Sequence, residues 1–290
     1  MEYMFHIIIM LNIYIMLTLS ANLTIGLANL LTMCQAAFYG IGAYIGAYFL
    51  MQFGLPFIII ALLVMLSTGL FSVLITLASA RLRGDYFVMA TMGFQLIVYT
   101  ILYNWIDVTH GPYGIPGIPG IKLFGVLELS GINAYLVFSL TVTVLSVFLL
   151  YRLIRSPYGR LLKAIRVDEI SVQSFGRNAI TAKLWAFFFS AAVTGLAGVI
   201  YASYVSYIDP TSFTLNESIF IISALFIGGI GNTKGPIGGA VFVVLLPEML
   251  RFVGLPDSIA ANLRQIIYGL TLIIVMYYRP QGLWGKTILR

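Results

Sequence analysis

Apolar residues fill this chain in long blocks that are separated by short polar stretches. Hydrocarbon offers backbone amides and carbonyls no hydrogen-bond partner, so an apolar block of about 20 residues satisfies them by folding as a helix. The blocks predict an all-α, polytopic transmembrane helix bundle of about 8 to 10 membrane segments, with residues 1–290 in one domain. They are Met4–Leu19, Ser20–Gln35, Ala36–Met51, Pro56–Ala80, Tyr86–Trp105, Ala134–Tyr151, Leu184–Tyr207, Glu217–Ile230, Gly235–Leu250 and Ile259–Tyr278.

Three of these blocks depart from a plain apolar span. Ser20–Gln35 holds several side chains that hydrocarbon solvates poorly, so we expect it to face protein or water rather than lipid. Glu217–Ile230 and Gly235–Leu250 are short and are joined by a glycine-rich turn at 228–236. They form either two thin spans or a broken, partly re-entrant pair, and the pattern leaves both open.

Small residues recur at intervals of four in two of the blocks. Gly42 and Gly46 have the spacing that lets two helix backbones approach closely. A longer ladder follows at Ser190, Thr194, Gly198, Ala202 and Ser206. Residues four apart share one face of a helix, so both patterns predict close helix packing.

The most basic stretch, 152–183, sets the predicted topology. It contains seven of the 16 Lys and Arg residues, and its only acids are Asp168 and Glu169. Short loops rich in Lys and Arg stay on the cytoplasmic side, so this stretch predicts a cytoplasmic loop. Two further basic groups fall on the same side and place the C-terminus in the cytoplasm: Arg81 with Arg83, and Arg279 with Lys286 and Arg290.

The polar stretch at 106–133 has the opposite character. Lys122 is its only Lys or Arg, and its near-repeat of glycine and proline at 114–120 cannot continue a helix. This stretch therefore predicts an extracytoplasmic loop.

Composition excludes a soluble domain. Only 9% of the residues are charged, against roughly 25% in soluble domains. The net charge of +6 is explained by topology and by contact with anionic lipid headgroups, so we expect a lipid bilayer and no nucleic acid as partner. Cys34 is the only cysteine, which excludes an internal disulfide and a multi-cysteine metal site.

The basic loop carries helix signals of its own. Ser156 suits an N-cap, Pro157 suits the first helical position and Gly176 is a C-terminal stop. The residues between them predict one polar helix or two shorter pieces, with apolar side chains at Leu161, Leu162, Ile165, Ile170, Val172 and Phe175. Such an element either docks on a partner surface or lies on anionic lipid. In the second case it would be held by Arg160, Lys163 and Arg166.

No catalytic or metal-binding constellation is visible in the sequence. The two histidines, His6 and His110, are far apart, and no metal-ligand spacing such as His-x-x-Glu-His occurs. The phosphate-binding pattern Gly-x-x-x-x-Gly-Lys-Ser/Thr is also missing. We therefore expect a protein that is not an enzyme and holds no cofactor, so that any energy for transport comes from elsewhere.

Polar side chains inside the blocks are candidates for a translocation path. The acids fall near segment ends, which argues against an ion-coupled carrier, since such a carrier usually buries at least one. The pattern leaves open that Glu217 and Glu248 lie deeper than their blocks indicate. The uncharged candidates are Asn22, Asn29, Gln35, Gln95 and Ser223. Each is equally suited to an interhelical hydrogen bond, so both roles stay open.

Several motifs resemble permease subunits of branched-chain amino-acid ABC importers. The sequence at 156–170, continuing to 175–176, is similar to the cytoplasmic signature of that family. Further similar motifs are Gly195–Gly198, Gly228–Gly231 followed by Gly235–Pro236, Leu246–Glu248 and Arg279–Gly285. The last of these is typical of the M-type rather than the H-type subunit, and the resemblance runs from Gly40 to the C-terminus.

The resemblance implies a plasma-membrane subunit that pairs with an H-type permease, two cytoplasmic ATPase subunits that bind the ATP, and an extracytoplasmic solute-binding protein. It also implies that the basic loop couples the chain to the ATPase, with Arg160, Lys163, Arg166, Asp168, Glu169 and Gly176 as its site residues. The family commonly has alanines and a glutamate where this chain has Ser171–Ser174, and this departure affects the detailed contacts of the loop.

Other functions compete with a branched-chain amino-acid permease. Related permeases carry urea or short amides, which gives an alternative substrate class. A self-sufficient, ion-coupled secondary carrier is motivated by Gln95 and the polar block 20–35. Only His6, His110 and scattered acids favour a third alternative, an integral-membrane enzyme.

Overall fold

A computed structural model of the chain describes residues 2–79, 82, 84–123, 127–128, 131–251, 257–278 and 282–284. The basic residues that supported the topology outside the central loop lie outside the described residues: Arg81, Arg83, Arg279, Lys286 and Arg290. Of the motif at 279–285, the structure describes residues 282–284.

The predicted all-α transmembrane bundle is confirmed. Its α-helices are α1 (Glu2–Ala21), α2 (Gln35–Phe53), α3 (Phe57–Ser79), α4 (Asp85–Asn104), α5 (Ile106–Thr109), α6 (Ile132–Arg155), α7 (Pro157–Val167), α8 (Glu169–Ser174), α9 (Ala179–Val205), α10 (Leu215–Gly228), α11 (Lys234–Arg251) and α12 (Asp257–Tyr278). A π-helix, Asn22–Leu27, continues α1, and 3₁₀-helices lie at Gly111–Tyr113 and Pro210–Phe213. Within the described ranges, six stretches are long and apolar enough to cross a membrane: α1 with the π-helix, α2, α3, α4, α6 and α9.

The stretch between α4 and α6 contains short irregular pieces and small strands. β1 (Ile115–Pro116) pairs antiparallel with β4 (Tyr207–Ile208), which directly follows α9. β2 (Lys122–Leu123) and β3 (Leu127–Glu128) form a second antiparallel pair. We call the end of the bundle that carries β1 and β4 the strand end, and the end that carries α7 and α8 the loop end.

α1 runs from the strand end to the loop end. Near its start the His6 ring stacks on Tyr204, with ring centroids 5.5 Å apart and Tyr204 close to the strand end of α9. At the other extreme, the Arg166 guanidinium of α7 donates to the carbonyl of Gly26 in the π-helix. α1 and the π-helix together therefore connect the two ends.

The block 20–35 is not the separate membrane segment that the pattern predicted. Its first residues continue α1 into the π-helix, and the remainder leads to the start of α2 at Gln35. The hydroxyls of Thr18, Ser20 and Thr24 donate to carbonyls of their own helical stretch at 2.8–3.0 Å. Because these bonds satisfy the hydroxyls inside the bundle, the polar residues do not interrupt the helix.

α9 packs tightly between α2 and α3, as the small-residue patterns predicted. A Cβ atom added to Gly42 would lie 2.3 Å from the Gly195 Cα, and one added to Gly198 would lie 2.3 Å from the Tyr39 carbonyl oxygen. Such distances are below those that real Cβ atoms adopt. The ladder residues Ser190, Thr194 and Ala202 are also buried, whereas Ser206 follows the end of α9.

α10 and α11 form the broken pair that was one of the two predicted alternatives. α10 has 14 residues, about 21 Å at 1.5 Å per residue, which is short of a hydrocarbon core of about 30 Å. It starts inside the bundle, where the Ser218 hydroxyl accepts from the Ala36 amide at 2.9 Å. α11 returns to the strand end, where the Tyr3 hydroxyl donates to Glu248.

Residues 282–284 lie beside the C-terminal end of α10. The Trp284 amide donates to the Gly228 carbonyl at 2.9 Å. The turn that follows Gly228 bonds the π-helix, because the Gly231 amide donates to the Asn22 side chain at 2.9 Å. This part of the C-terminal segment therefore lies at the loop end, together with α7 and α8.

Candidate functional site

The basic loop begins with the cap that its sequence predicts. The Ser156 hydroxyl accepts a hydrogen bond from the Gly159 amide at 3.3 Å, and Pro157 is the first residue of α7. α6 extends to Arg155 and α9 begins at Ala179, so the connecting part is 156–178 and the ends of the predicted loop belong to membrane helices.

Asp168 divides the loop into the two shorter pieces. It is extended and caps α8, since its carboxylate accepts from the Ile170 and Ser171 amides at 2.9 and 3.2 Å. Hydrogen bonds from the Ser171 hydroxyl and backbone lower the pKa of Asp168. A cap with a lowered pKa is ionised at neutral pH, and its contribution is lost only as the pH falls through that lowered value. Gly176, with a φ of +75°, follows α8 as the predicted stop.

Three polar side-chain contacts attach α7 and α8 to the bundle. They are the Tyr158 hydroxyl to the Ala182 carbonyl at 2.6 Å, the Arg166 guanidinium to the Gly26 carbonyl, and the Glu169 carboxylate to the Lys183 ammonium at 2.8 Å. Burial lowers the pKa of Arg166, yet a guanidinium remains charged at neutral pH. Arg160 and Lys163 are exposed. The loop is thus fixed to the π-helix and to α9, and Arg166 faces the protein.

The apolar residues of the loop divide into two groups. Leu162, Ile165 and Val172 are buried against the bundle. Val167, Ile170 and Phe175 are 74, 64 and 85% exposed, and we call these three the apolar tip. Exposed apolar side chains grouped at one place mark an interaction surface.

Two of the translocation-path candidates hold parts of the interior together. The Asn22 amide donates to the Asn232 carbonyl at 2.7 Å, and its oxygen accepts from Gly231. The Gln35 amide donates to Ser190 at 3.2 Å, and its oxygen accepts from Thr194 at 3.3 Å. Both amides therefore make the interhelical hydrogen bonds that the sequence left as their alternative role.

Gln95 also forms hydrogen bonds between elements, and it joins its own helix, α4, to three others. Its side-chain oxygen accepts from the Ala37 amide at 2.6 Å and from the Ser218 hydroxyl at 3.2 Å. Its nitrogen donates to the Phe213 carbonyl at 2.8 Å. Gln95 is fully buried, so α2, α4, α10 and the 3₁₀-helix at 210–213 meet at one satisfied side chain.

We expect Gln95→Leu to lower the free energy of unfolding by about 2 kcal/mol, because it leaves the Ala37 amide and the Phe213 carbonyl buried without their partner. The thermal midpoint of the detergent-purified protein measures this effect. Ser223→Ala is the control, since Ser223 is only half-buried on α10. Equal midpoints for both variants would contradict the role assigned to Gln95.

The five candidates do not form one common lining. Gln35 and Gln95 bond at the start of α2, and Asn22 bonds the turn after α10. Asn29 is exposed, with a φ of +55°, in the segment after the π-helix. Their role in a translocation path stays a prediction.

The sequence places Glu217 near a segment end and leaves open that it lies deeper. In the structure it is half-buried on the first turn of α10, and its carboxylate accepts from the Tyr14 hydroxyl of α1 at 2.8 Å. The available signal for a functional acid was its position on the first turn of a short apolar helix. How deep Glu217 lies in the bundle depends on where α10 begins, and the residue pattern does not fix that point.

An apolar cavity of about 670 Å³ lies between α2, α3 and α4. Its aromatic lining includes Tyr44, Tyr48, Phe71, Phe94 and Trp105, and none of the lining residues is charged. The cavity therefore accommodates apolar groups and provides no ionic partner for a charged ligand.

Comparisons with known proteins agree with the resemblance in the motifs. Residues 3–276 match the family described as "Branched-chain amino acid transport system / permease component". The chain is 36% identical to the "High-affinity branched-chain amino acid transport system permease protein LivM" of Salmonella typhimurium strain LT2, over 95% of this chain and 68% of that protein. The protein of the same name from Escherichia coli K12 is 35% identical over the same shares.

A more distant relative is the "Probable branched-chain amino acid transport permease protein LivM" of Methanocaldococcus jannaschii, which is 29% identical over 71% of this chain and 62% of its own length. No solved structure matches the chain. Both the family match and the bacterial relatives extend over nearly all of the sequence and over the helical bundle described above. This chain is a multi-pass membrane protein that belongs to the branched-chain amino-acid transport permease family.

Proposed function

We propose that this chain is the M-type permease subunit of an ATP-driven importer for branched-chain, hydrophobic amino acids. It lies in the plasma membrane with its basic loop and C-terminus in the cytoplasm. The apolar tip is the observation that carries the proposal. Its three side chains are exposed on a loop that is otherwise fixed to the bundle, which is the arrangement of a docking element.

The partners are an H-type permease, two cytoplasmic ATPase subunits that bind ATP, and an extracytoplasmic solute-binding protein. The chain itself is no enzyme and holds no cofactor. In the loop, Asp168, Glu169 and Gly176 fix the shape of α8, while the exposed Arg160 and Lys163 are free to contact the ATPase or anionic headgroups.

Coupling would pass from the loop into the bundle through side-chain hydrogen bonds as well as through the covalent connections to α6 and α9. Arg166 links α7 to the π-helix, and Asn22 links the π-helix to the turn after α10. Asn232 in that turn donates to the Trp284 carbonyl. A displacement of the loop on ATP binding would therefore reach α1, α10 and the segment at 282–284, as well as the flanking helices α6 and α9.

The test is purification from the native membrane in a gentle detergent, followed by identification of the bound proteins and reconstitution into vesicles. We expect a second permease and two ATPase chains, and uptake of labelled leucine that requires ATP. Uptake that persists without ATP and collapses with an ionophore would overturn the proposal in favour of the ion-coupled carrier. ATP-driven uptake of urea or short amides, but not of leucine, would support an ABC importer and overturn the proposed amino-acid substrate.

A further inference from the structure

A half-buried carboxylate, that of Glu217, lies inside the bundle, and the described residues give it no basic partner. Glu217 accepts from the Tyr14 hydroxyl through Oε1, and within the described part of the chain no Lys, Arg or His lies within ion-pair distance of it. An ionised acid at membrane depth is costly unless it faces water or binds a cation, and such acids mark ligand or ion pathways. Since the described residues place no cation at Glu217, the position suits a cationic group of a bound solute.

The neighbouring residue places Glu217 well below the strand end. The Ser218 hydroxyl bonds both the Ala36 amide, at the inner end of α2, and the Gln95 side chain, near the middle of α4. Glu217 is therefore separated from the strand end by much of the length of α2. It therefore lies between the two ends of the bundle, at the depth of Gln95 and the start of α2.

Aromatic side chains pack around the start of α10, where this carboxylate lies. The rings of Tyr39 and Tyr201 lie 5.5 Å apart, and Tyr39 packs edge-on against Phe213 at 5.1 Å. Phe220 contacts the Tyr14 ring edge-on at 5.4 Å. Tyr204 is half-buried and lies about one turn after Tyr201 on α9, closer to the strand end. Aromatic rings of α1, α2, α9 and α10 are thus grouped near the start of α10.

We propose that Glu217 recognises the ammonium group of the transported amino acid, with the tyrosine rings around it as a cation-binding wall. Carboxylates pair with ammonium groups, and aromatic faces attract them through their quadrupole. The apolar cavity between α2, α3 and α4 has no charged lining residue, so the described structure offers the ammonium no comparable partner there. This assignment rests on the proposed function, because it takes an amino acid as the solute.

Two matched variants separate ammonium recognition from a merely structural tie between α1 and α10. Glu217→Gln removes the charge but keeps an oxygen that accepts from Tyr14, whereas Tyr14→Phe removes the hydrogen bond but keeps the charge. In the reconstituted complex we expect Glu217→Gln to lower leucine uptake about tenfold or more, with the thermal midpoint unchanged. Tyr14→Phe should retain uptake within about threefold of the wild type, since the loss of one hydrogen bond is a smaller change. Equal losses in both variants, or uptake retained by Glu217→Gln, would overturn the assignment.

A second measurement does not depend on transport. A hydrophobic diazo reagent esterifies buried carboxyl groups without activating them toward amines, and labelling of Glu217 in the wild-type complex can be followed by peptide mass spectrometry. We expect 3-methylbutan-1-amine, which has the ammonium group, to protect Glu217, and 3-methylbutan-1-ol, which lacks it, to leave the labelling unchanged. Protection by neither compound, or by both equally, would contradict ammonium recognition. If the complex proves not to transport amino acids but the amine still protects, the proposed function fails while the ammonium site stands.

Discussion

Gly198→Ala is expected to destabilise the bundle by about 3 kcal/mol, the upper part of the range for overpacking a close-packed interior. The added Cβ would lie 2.3 Å from the Tyr39 carbonyl oxygen and 2.7 Å from the Ala43 amide nitrogen. Both neighbours are backbone atoms, so no side chain can rotate away and α2 and α9 have to separate. For a chain of this size the thermal midpoint in detergent should fall by roughly 5–10 °C.

Gly93→Ala is the matched control. Gly93 is also a glycine within a membrane helix, but a Cβ added there meets no atom within 4 Å. Alanine is the better helix former by about 1 kcal/mol, so this variant should be neutral or slightly more stable. If both variants had the same midpoint, the close approach of α2 and α9 would be contradicted, because helix propensity alone acts equally at the two positions.

The residue pattern was sufficient for those parts of the fold that depend on local chemistry. The spacing of Gly42, Gly46 and Gly198 required a close helix contact, because only small residues allow it. The caps at Ser156 and Gly176 were readable for the same reason, since each depends on the identity of one residue and its position beside a helix. Long apolar blocks likewise identified the membrane helices, because the bilayer imposes their length.

What the pattern missed depends on where polar groups find their partners. The block 20–35 seemed separate because it is polar, yet Thr18, Ser20 and Thr24 bond within their own helical stretch and α1 continues. Gln35 and Gln95 seemed equally suited to a path and to packing, and their partners lie on helices far away in sequence. The pattern leaves the burial of Glu217 open, because its burial depends on the depth at which α10 begins.

The same reasoning applies to the basic loop. Its charges predict the topology, but not which of them face the bundle. Arg166 was assigned with Arg160 and Lys163, and only its contact with the Gly26 carbonyl separates it from them. The apolar residues of the loop likewise divide into buried and exposed groups only once α7 and α8 are placed on the bundle, where Leu161 is half-buried. The exposed group is the one that can be tested against a partner.

Phe175→Ala is expected to weaken capture of the ATPase subunits roughly thirtyfold, which corresponds to about 2 kcal/mol and is typical of an aromatic anchor at an interface. Phe175 is 85% exposed, so its removal should leave the thermal midpoint of the isolated chain unchanged. ATP-driven uptake should fall together with capture. Quantitative co-purification at several ATPase concentrations measures the first effect, and vesicle uptake measures the second.

Tyr113→Ala is the control for this prediction, because Tyr113 is an aromatic residue of similar exposure, 83%, near the strand end. It should leave ATPase capture unchanged, since the ATPase subunits are expected at the loop end. Unchanged capture in Phe175→Ala as well would contradict the docking role of the apolar tip. If that variant instead bound less well to anionic vesicles, the loop would be an element that lies on lipid, and coupling to the ATPase would have to use the exposed charges of α7.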